Sequence, residues 1–258
     1  MTQISVIGCG NMGGAFIKGL HQSGGYSVTA CDVDEAVLET ISPYCDRTTT
    51  ELSVAAESEV VVLALKPDLV GAILSDLELT ADQTLLSIAA GVSTELLESK
   101  TEATVVRIMP NLAAEYGMMA AAVTESTVTD EIRAILDAVG EFVEVSESKM
   151  DIATAVNGSG PAFVFYLINA MAEAGVDGGL SPEDARTLAA QTFKGAAETV
   201  LQSDRSIEDL IDAVCSPKGT TIEGMDVLWD SDVEAEVGEA VAAAEERSKE
   251  LAQDAADE

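Results

Sequence analysis

Ser216, Thr220 and Thr221 bring three hydroxyls into one short run, Val214-Cys215-Ser216-Pro217-Lys218-Gly219-Thr220-Thr221-Ile222-Glu223-Gly224. The run reads as a helix end, a tight turn and a new helix. Pro217 fixes φ, Gly219 frees the bend, and Thr220 or Thr221 is a suitable N-cap for a helix running to about Trp229. A helix start offers unpaired N–H groups and a partial positive charge, which suits a small carboxylate. Hydroxyls beside those N–H groups add donors of adjustable direction. The chemistry implied is the holding of a small anionic substrate.

A second constellation stands at the other end of the chain. Gly8-Cys9-Gly10-Asn11-Met12-Gly13 matches G-x-G-x-x-G. It follows a short β-branched run, Gln3 to Gly8, and opens a helix from about Met12 to Gln22. A second strand, Tyr26 to Asp32, ends in an acid where a ribose-binding carboxylate belongs. The glycines permit the tight turn, close approach of a pyrophosphate and close helix–strand packing. This is dinucleotide-binding chemistry. Asp32 accepts hydrogen bonds from two ribose hydroxyls and repels a 2′-phosphate. The next basic residue is Arg47, so Asp32 leans the cofactor choice toward NADH.

Elements must carry these residues to one place. Val60–Leu65 is a continuous apolar strand, as in a sheet covered on both faces. Thr84–Ala89 and Thr104–Met109 are two more, and weaker strands are expected near Met119–Thr124 and Glu141–Val145. Ligands of such sheets lie at the carboxyl ends of the strands, which brings Lys66, Ala90 and Asn111 to the crevice. From Asp151 the period changes to helical. Asn157 to Pro161 reads as a loop leading into a helix from Ala162 to about Ala174. Ser181 caps the next helix, with Pro182 at its first position. That helix carries Ala185, Leu188, Ala189, Phe193, Ala196, Ala197, Val200 and Leu201 on one face. Ser206 and Asp209 form a capping box. The last helix spans roughly Val233 to Leu251. These helices are rich in Ala and make a thin core, so a dimer joined through them is expected.

Composition limits the alternatives. The chain has 258 residues, 47% of them hydrophobic but only 4% aromatic, so the core is built of Val, Leu, Ile and Ala. Forty-six acids face 13 bases, a formal net charge of −33. Nucleic acid and anionic membrane are excluded as partners by that sign. The acids are spread over nearly every expected helix, which points to work in concentrated salt. The longest uncharged run, Ile152 to Ala172, contains Asn157, Pro161 and Asn169 and reads as a buried loop and core helix rather than a membrane span. Cys9, Cys31, Cys45 and Cys215 form no C-x-x-C pair and the start of the chain shows no secretion signal, so a reduced, cytoplasmic protein is expected. No His/Cys/carboxylate cluster suggests a metal. His21, the only histidine, is expected to be exposed.

These motifs, in this order, resemble the pyrroline-5-carboxylate reductase family. The matching pieces are Ile7 to Gly13, Leu65-Lys66-Pro67, Ser87 to Val92, Arg107-Ile108-Met109-Pro110-Asn111, Gly158 to Val164, Ala189 to Thr192, Cys215 to Ile222 and Arg247 to Leu251. The Ser-Pro-x-Gly-Thr-Thr turn is the most specific of them. The resemblance implies an α/β fold, a Rossmann-type dinucleotide-binding domain at residues 1–149 followed by an all-helical dimerisation and substrate domain at 150–258. It implies a homodimer, assembled further into decamers in some members, and hydride transfer from NADPH or NADH to the C=N bond of 1-pyrroline-5-carboxylate. The implied cofactor set is Gly8, Gly10, Asn11, Met12, Gly13, Asp32, Ala64, Leu65, Lys66, Ala90, Met109, Pro110 and Asn111. The implied substrate set is Val214, Ser216, Gly219, Thr220 and Thr221, with Thr221 close to the ring nitrogen and catalytic.

The chain departs from the family pattern at four points. Lys218 stands at a usual Gly, and a solvated turn residue is expected there. Asn157 replaces a small Ser, with no consequence expected. Leu112-Ala113 replaces Thr-Pro, which loosens the loop after Asn111. Asp32 sets the family's frequent use of NADPH against an NADH-type acid. A hydroxyacid dehydrogenase of similar layout is the nearest rival, but its catalytic Lys has no counterpart on the helix from Ala162 to Ala174. A nucleotide-binding regulator without turnover is the alternative of another class.

Overall fold

The computed structural model describes residues 1–125 and 128–257. Its strands are β1 (Thr2–Ile7), β2 (Tyr26–Cys31), β3 (Arg47–Thr49), β4 (Val60–Leu63), β5 (Thr84–Ser87), β6 (Thr104–Met109), β7 (Met119–Thr124) and β8 (Gly140–Val145). They form one sheet in the order β3-β2-β1-β4-β5-β6-β7-β8. Every pair is parallel except β6 with β7. The helices of this part are α1 (Asn11–Ser23), α2 (Glu35–Ile41), α3 (Leu52–Ala55), α4 (Pro67–Asp76), α5 (Thr94–Glu98), α6 (Asp130–Asp137) and α7 (Met150–Ala153).

The run Val60-Val61-Val62-Leu63 shows why the sheet is central. All four side chains are 0% exposed, and alternate residues enter opposite layers. Val60 and Val62 join Ile4, Phe16, Leu20 and Ile132 on one face. Val61 and Leu63 join Val70, Leu74, Leu85 and Leu97 on the other. Each such burial contributes about 2 kcal/mol. A strand buried on both faces has no polar alternation, as the sequence indicated.

The chain divides into two compact units, Met1–Ser159 with Val241–Glu258, and Gly160–Ala240. The sequence reading put the division at 149; residues 150–159 lie within the first unit. Its side chains explain the placement. Met150 packs with Met109 and Ala122, and Ser248 Oγ donates to Asp151 Oδ1 at 2.8 Å. Thr154–Ser159 is a π-helical turn rather than the loop expected from its Asn-Gly-Ser-Gly composition. Gly and Asn are turn formers in isolation, but here the wider helical ladder is continuous with α7.

The second unit contains α8 (Gly160–Asp177), α9 (Pro182–Gln202), α10 (Ile207–Val214), α11 (Thr220–Trp229) and the start of α12 (Val233–Asp257). Ser181 and Ser206 cap α9 and α10 by accepting from the N–H of Asp184 and Asp209. The core is small: Ala172, Ala185 and Ala189 are its buried residues, with Ile168 against them. A Cβ on Gly175 would stand 3.2 Å from Ala185 Cβ, so α8 and α9 approach at the distance small residues allow. The wider apolar face expected for α9 is not covered. Leu188 and Val200 are exposed and Leu201 is 72% exposed, as are Phe165, Tyr166 and Trp229 on neighbouring helices. No helix among the described residues is long and apolar enough to cross a membrane.

Candidate functional site

The glycine loop is built by close backbone contacts. Gly8 takes φ +88°, and its N–H donates to Cys31 O at 2.9 Å. A Cβ there would lie 2.4 Å from Ala64 O, and one on Gly13 would lie 1.9 Å from Gly8 O. Gly10 differs: a Cβ would meet no atom within 4 Å. Gly10 is also the N-cap of α1, and no side chain caps that helix. An uncapped helix start facing open space beside Gly10 is a cradle for a phosphate, and it fits the pyrophosphate of a dinucleotide.

The other expected cofactor residues follow strand ends of the same unit. Asp32 follows β2; Ala64, Leu65 and Lys66 follow β4; Ala90 follows β5; Met109 closes β6, with Pro110 and Asn111 after it. Since β1, β2, β4, β5 and β6 are mutually parallel, all these residues share one edge of the sheet. The strand order reverses direction between β1 and β4, which is where a ligand crevice forms. Lys66 is exposed and precedes Pro67 at the start of α4.

Asp32 is more constrained than a free ribose acceptor. Its Oδ2 accepts from Cys9 N at 2.7 Å and its Oδ1 from Asp34 N at 3.0 Å. The carboxylate therefore ties the glycine loop to the end of β2, and each oxygen keeps one further lone pair. Asp34 caps α2 by accepting from Ala36 N, and Glu35 follows it. Arg47, the next base along the sequence, pairs with Glu57. Cys9 is held neutral: burial, then the charge of Asp32, push its thiol up to about 12, and the same causes push Cys31 up to about 11. Neither serves as a nucleophile at neutral pH. All four cysteines are free. His21, expected to be solvent-facing, is exposed, with its ring edge-on to Tyr44.

The residues expected to hold the substrate lie in the helical unit. Val214 ends α10, and Gly219 N donates to Ser216 O at 2.9 Å to close the turn. The N-cap of α11 is Gly219, not Thr220 or Thr221, and no side chain caps the helix. The reason is steric: Ser216 approaches so closely that a Cβ on Gly219 would lie 2.4 Å from its Oγ. Thr220 and Thr221 therefore take the first and second positions of the helix. The hydroxyls of Ser216, Thr220 and Thr221 make no hydrogen bond to another described residue. Lys218 holds φ +62°, the one non-glycine residue with positive φ among those described. The family's usual Gly is thus explained by backbone geometry. Lys218→Gly relieves a conformation that costs an L-residue about 1–2 kcal/mol, less the greater entropy of Gly in the unfolded chain. The variant is expected to be more stable by up to about 1 kcal/mol in denaturant titration. Equal or lower stability would show that the lysine side chain makes a compensating contact.

Asn157 carries more than the sequence indicated. Its Nδ2 donates to Met109 O at 2.6 Å and to Ala120 O at 2.9 Å. Asn111 Nδ2 donates to Asn157 O at 3.1 Å, while Asn111 Oδ1 accepts from the N–H of Ala113 and Ala120. The loop after Asn111 is pinned by these bonds, contrary to the loosening expected from Leu112-Ala113. Only the departure from a small residue at 157 could have signalled this. Among the described residues no three potential metal ligands come together.

A Rossmann-type unit with an open glycine loop at its strand ends, joined to a helical unit, defines a nicotinamide-dependent oxidoreductase. The family model for pyrroline-5-carboxylate reductase dimerisation matches residues 147–251, and that for coenzyme F420-dependent NADP oxidoreductase matches residues 3–91. The chain is 39% identical to the pyrroline-5-carboxylate reductase of Methanosarcina acetivorans, over 96% of this chain and 97% of that one. It superposes on the pyrroline-5-carboxylate reductase of Coxiella burnetii with a TM-score of 0.86 at 32% identity, covering 97% and 98% of the two chains. The NADP-bound pyrroline carboxylate reductase of Plasmodium falciparum gives 0.84 at 28% identity, with the same coverage. The chain belongs to the pyrroline-5-carboxylate reductase family.

Proposed function

We infer that this protein reduces 1-pyrroline-5-carboxylate to L-proline, the last step of proline biosynthesis. The observation that carries this reading is the turn at the start of α11, an uncapped helix end ringed by three unengaged hydroxyls, in a chain of this family. The N–H groups of Gly219, Thr220 and Thr221 hold the substrate carboxylate, with Ser216 and Val214 beside them. The substrate arrives with its imine nitrogen protonated, or, as the neutral imine, accepts a hydrogen bond from Thr221 that stabilises the charge building on nitrogen as hydride reaches carbon. A reduced nicotinamide supplies the hydride when bound. Gly8, Gly10, Asn11, Met12 and Gly13 receive its phosphates. Asp32, Ala64, Leu65, Lys66, Ala90, Met109, Pro110 and Asn111 line the rest of its site. No strong acid is needed, since positioning of two reactants lowers the barrier.

NADH is the preferred cofactor in this reading. Asp32, Asp34 and Glu35 put three carboxylates at the end of β2, where the 2′-phosphate of NADPH would sit, and the next base along the chain, Arg47, is already paired. The working form is a homodimer joined through the C-terminal helices, with a decamer as a further assembly, in a salt-rich cytoplasm. The exposed apolar side chains of the helical unit support the first point, and the excess of acids supports the salt.

The test is oxidation of NADH and of NADPH, in parallel, on adding pyrroline-5-carboxylate in concentrated salt. Turnover with a higher kcat/KM for NADH is expected. A strong NADPH preference would overturn the reading of Asp32. Thr221→Ala is expected to lower kcat by on the order of 10- to 100-fold, the worth of a hydrogen bond to a charged group, with dinucleotide binding unchanged. An unchanged kcat would remove Thr221 from the mechanism.

A further inference from the structure

The ladder between β6 and β7 ends at Met109, opposite Ala122. Beyond it the cross-links come from side chains. The Asn157 amide donates to Met109 O and Ala120 O, and Asn111 closes the circuit by donating to Asn157 O while accepting from Ala120 N. Two reciprocal asparagines thus join the end of β6, the start of β7 and the π-helical turn Thr154–Ser159. π-Turns inside helices concentrate at functional positions. The amide orientation is dictated by its partners, because the reverse would set Oδ1 against two carbonyl oxygens. That orientation leaves Asn157 Oδ1 buried and without a partner among the described residues. An unmet buried acceptor is unfavourable, so the two donations outweigh it. A serine hydroxyl has one proton and cannot make both.

We propose that Asn157 is a positioning residue for the dinucleotide: its amide fixes Met109-Pro110-Asn111 in the shape that receives the cofactor. The proposal rests on the reductase reading for the role of that loop, but not on the identity of the imino acid. Asn157 itself need not touch the cofactor. It acts through the two carbonyls that set the path of the chain leaving β6.

The experiment titrates NADH fluorescence against the unaltered protein, Asn157→Ser, Asn157→Ala and Asn157→Asp in concentrated salt, with melting temperature and amide exchange of segment 109–122 measured on each. The Ser and Ala variants are expected to bind NADH about tenfold more weakly. Asp, which turns acceptors toward both carbonyls, weakens binding further. Exchange in segment 109–122 speeds up in all three, and KM for NADH rises more than kcat falls. Should Ala or Asp fail to fold, Ser, which keeps one donor, decides. NADH affinity within about twofold of the unaltered protein in the folded variants overturns the proposal, whatever the melting temperature does. Loss of melting temperature with affinity unchanged overturns it also, since that is the mark of a structural role only. Turnover of pyrroline-5-carboxylate is scored separately: if the unaltered protein binds NADH without turnover, the substrate reading fails and the affinities still decide the role of Asn157.

Discussion

Gly13→Ala is expected to cost the protein its fold around the loop, whereas Gly10→Ala is expected to cost it only the ligand. The two glycines lie three residues apart in one motif and differ in what a methyl group would meet. At Gly13 the new Cβ would stand 1.9 Å from Gly8 O and 3.1 Å from Ala64 Cβ. The first contact is with backbone that Gly8 N and Ala64 N already fix through hydrogen bonds to Cys31 O and Ile7 O. Relief requires the loop or α1 to move, breaking packing of Phe16, Ile17 and Leu20 in the core. Overpacking of this kind costs about 1–3 kcal/mol and more where backbone must yield. At the upper figure the melting temperature falls by about 6–12 °C for a chain of this size, and NADH binding is lost with the loop. At Gly10 the methyl meets nothing and φ is −64°, so the melting temperature changes little. The methyl then occupies the space through which a pyrophosphate approaches the α1 N–H groups. Binding of NADH is expected to weaken by about a hundredfold. Thermal melts and NADH titrations on both variants check this. Undiminished binding by Gly10→Ala would show that the loop does not receive a dinucleotide.

What made this contrast legible was partly in the sequence. The G-x-G-x-x-G spacing after a strand indicated the loop, the helix and the ligand class. It did not indicate which glycine serves the fold and which the ligand, because that depends on Ala64, which follows β4 more than fifty residues away. The same limit recurs elsewhere. Seven strands were readable because short runs rich in β-branched and apolar residues stand between turn residues, which favours a strand over a helix. β3 was not, since Arg47-Thr48-Thr49 is a polar edge strand set by its register with Thr29 to Cys31. The helix caps Ser181 and Ser206 were readable from local chemistry, yet the cap of α11 shifted to Gly219 because Ser216 crowds that position. Asn157 looked like a neutral replacement of Ser; its importance lies in Met109 O and Ala120 O, neither of which is near it in sequence. The caps Ser181 and Ser206 were read correctly because their partners are three residues away; the turn at Thr154–Ser159 and the loop after Asn111 were not, because they depend on backbone atoms distant in sequence.

Dilution of salt is expected to dissociate and unfold the protein. Even if each of the 13 bases neutralised a separate acid, 33 carboxylates would remain uncompensated. At about 0.1 M ionic strength their field reaches roughly 10 Å, and at about 1 M roughly 3 Å, so repulsion between neighbouring acids is largely removed only at the higher value. The helical unit has least to resist it. Its own buried core is three alanines, while Phe165, Tyr166, Leu201 and Trp229 are exposed on the single chain and are covered only in the proposed dimer. Assembly brings two chains of the same charge together, so the association that covers those side chains is also the step most opposed by unscreened charge. Light scattering, far-UV circular dichroism and turnover followed from about 1 M to about 0.1 M salt are therefore expected to fall together. A specific variant separates screening from a general salting-out of apolar surface. Glu234→Gln, Glu236→Gln and Glu239→Gln together remove three exposed charges from the start of α12 without removing apolar area. The triple variant should stay associated at a lower salt concentration than the unaltered protein. An unshifted midpoint would assign the salt requirement to apolar burial rather than to charge. An oligomer and melting temperature that are the same at both ends of the range would show that the acidic surface serves no such adaptation.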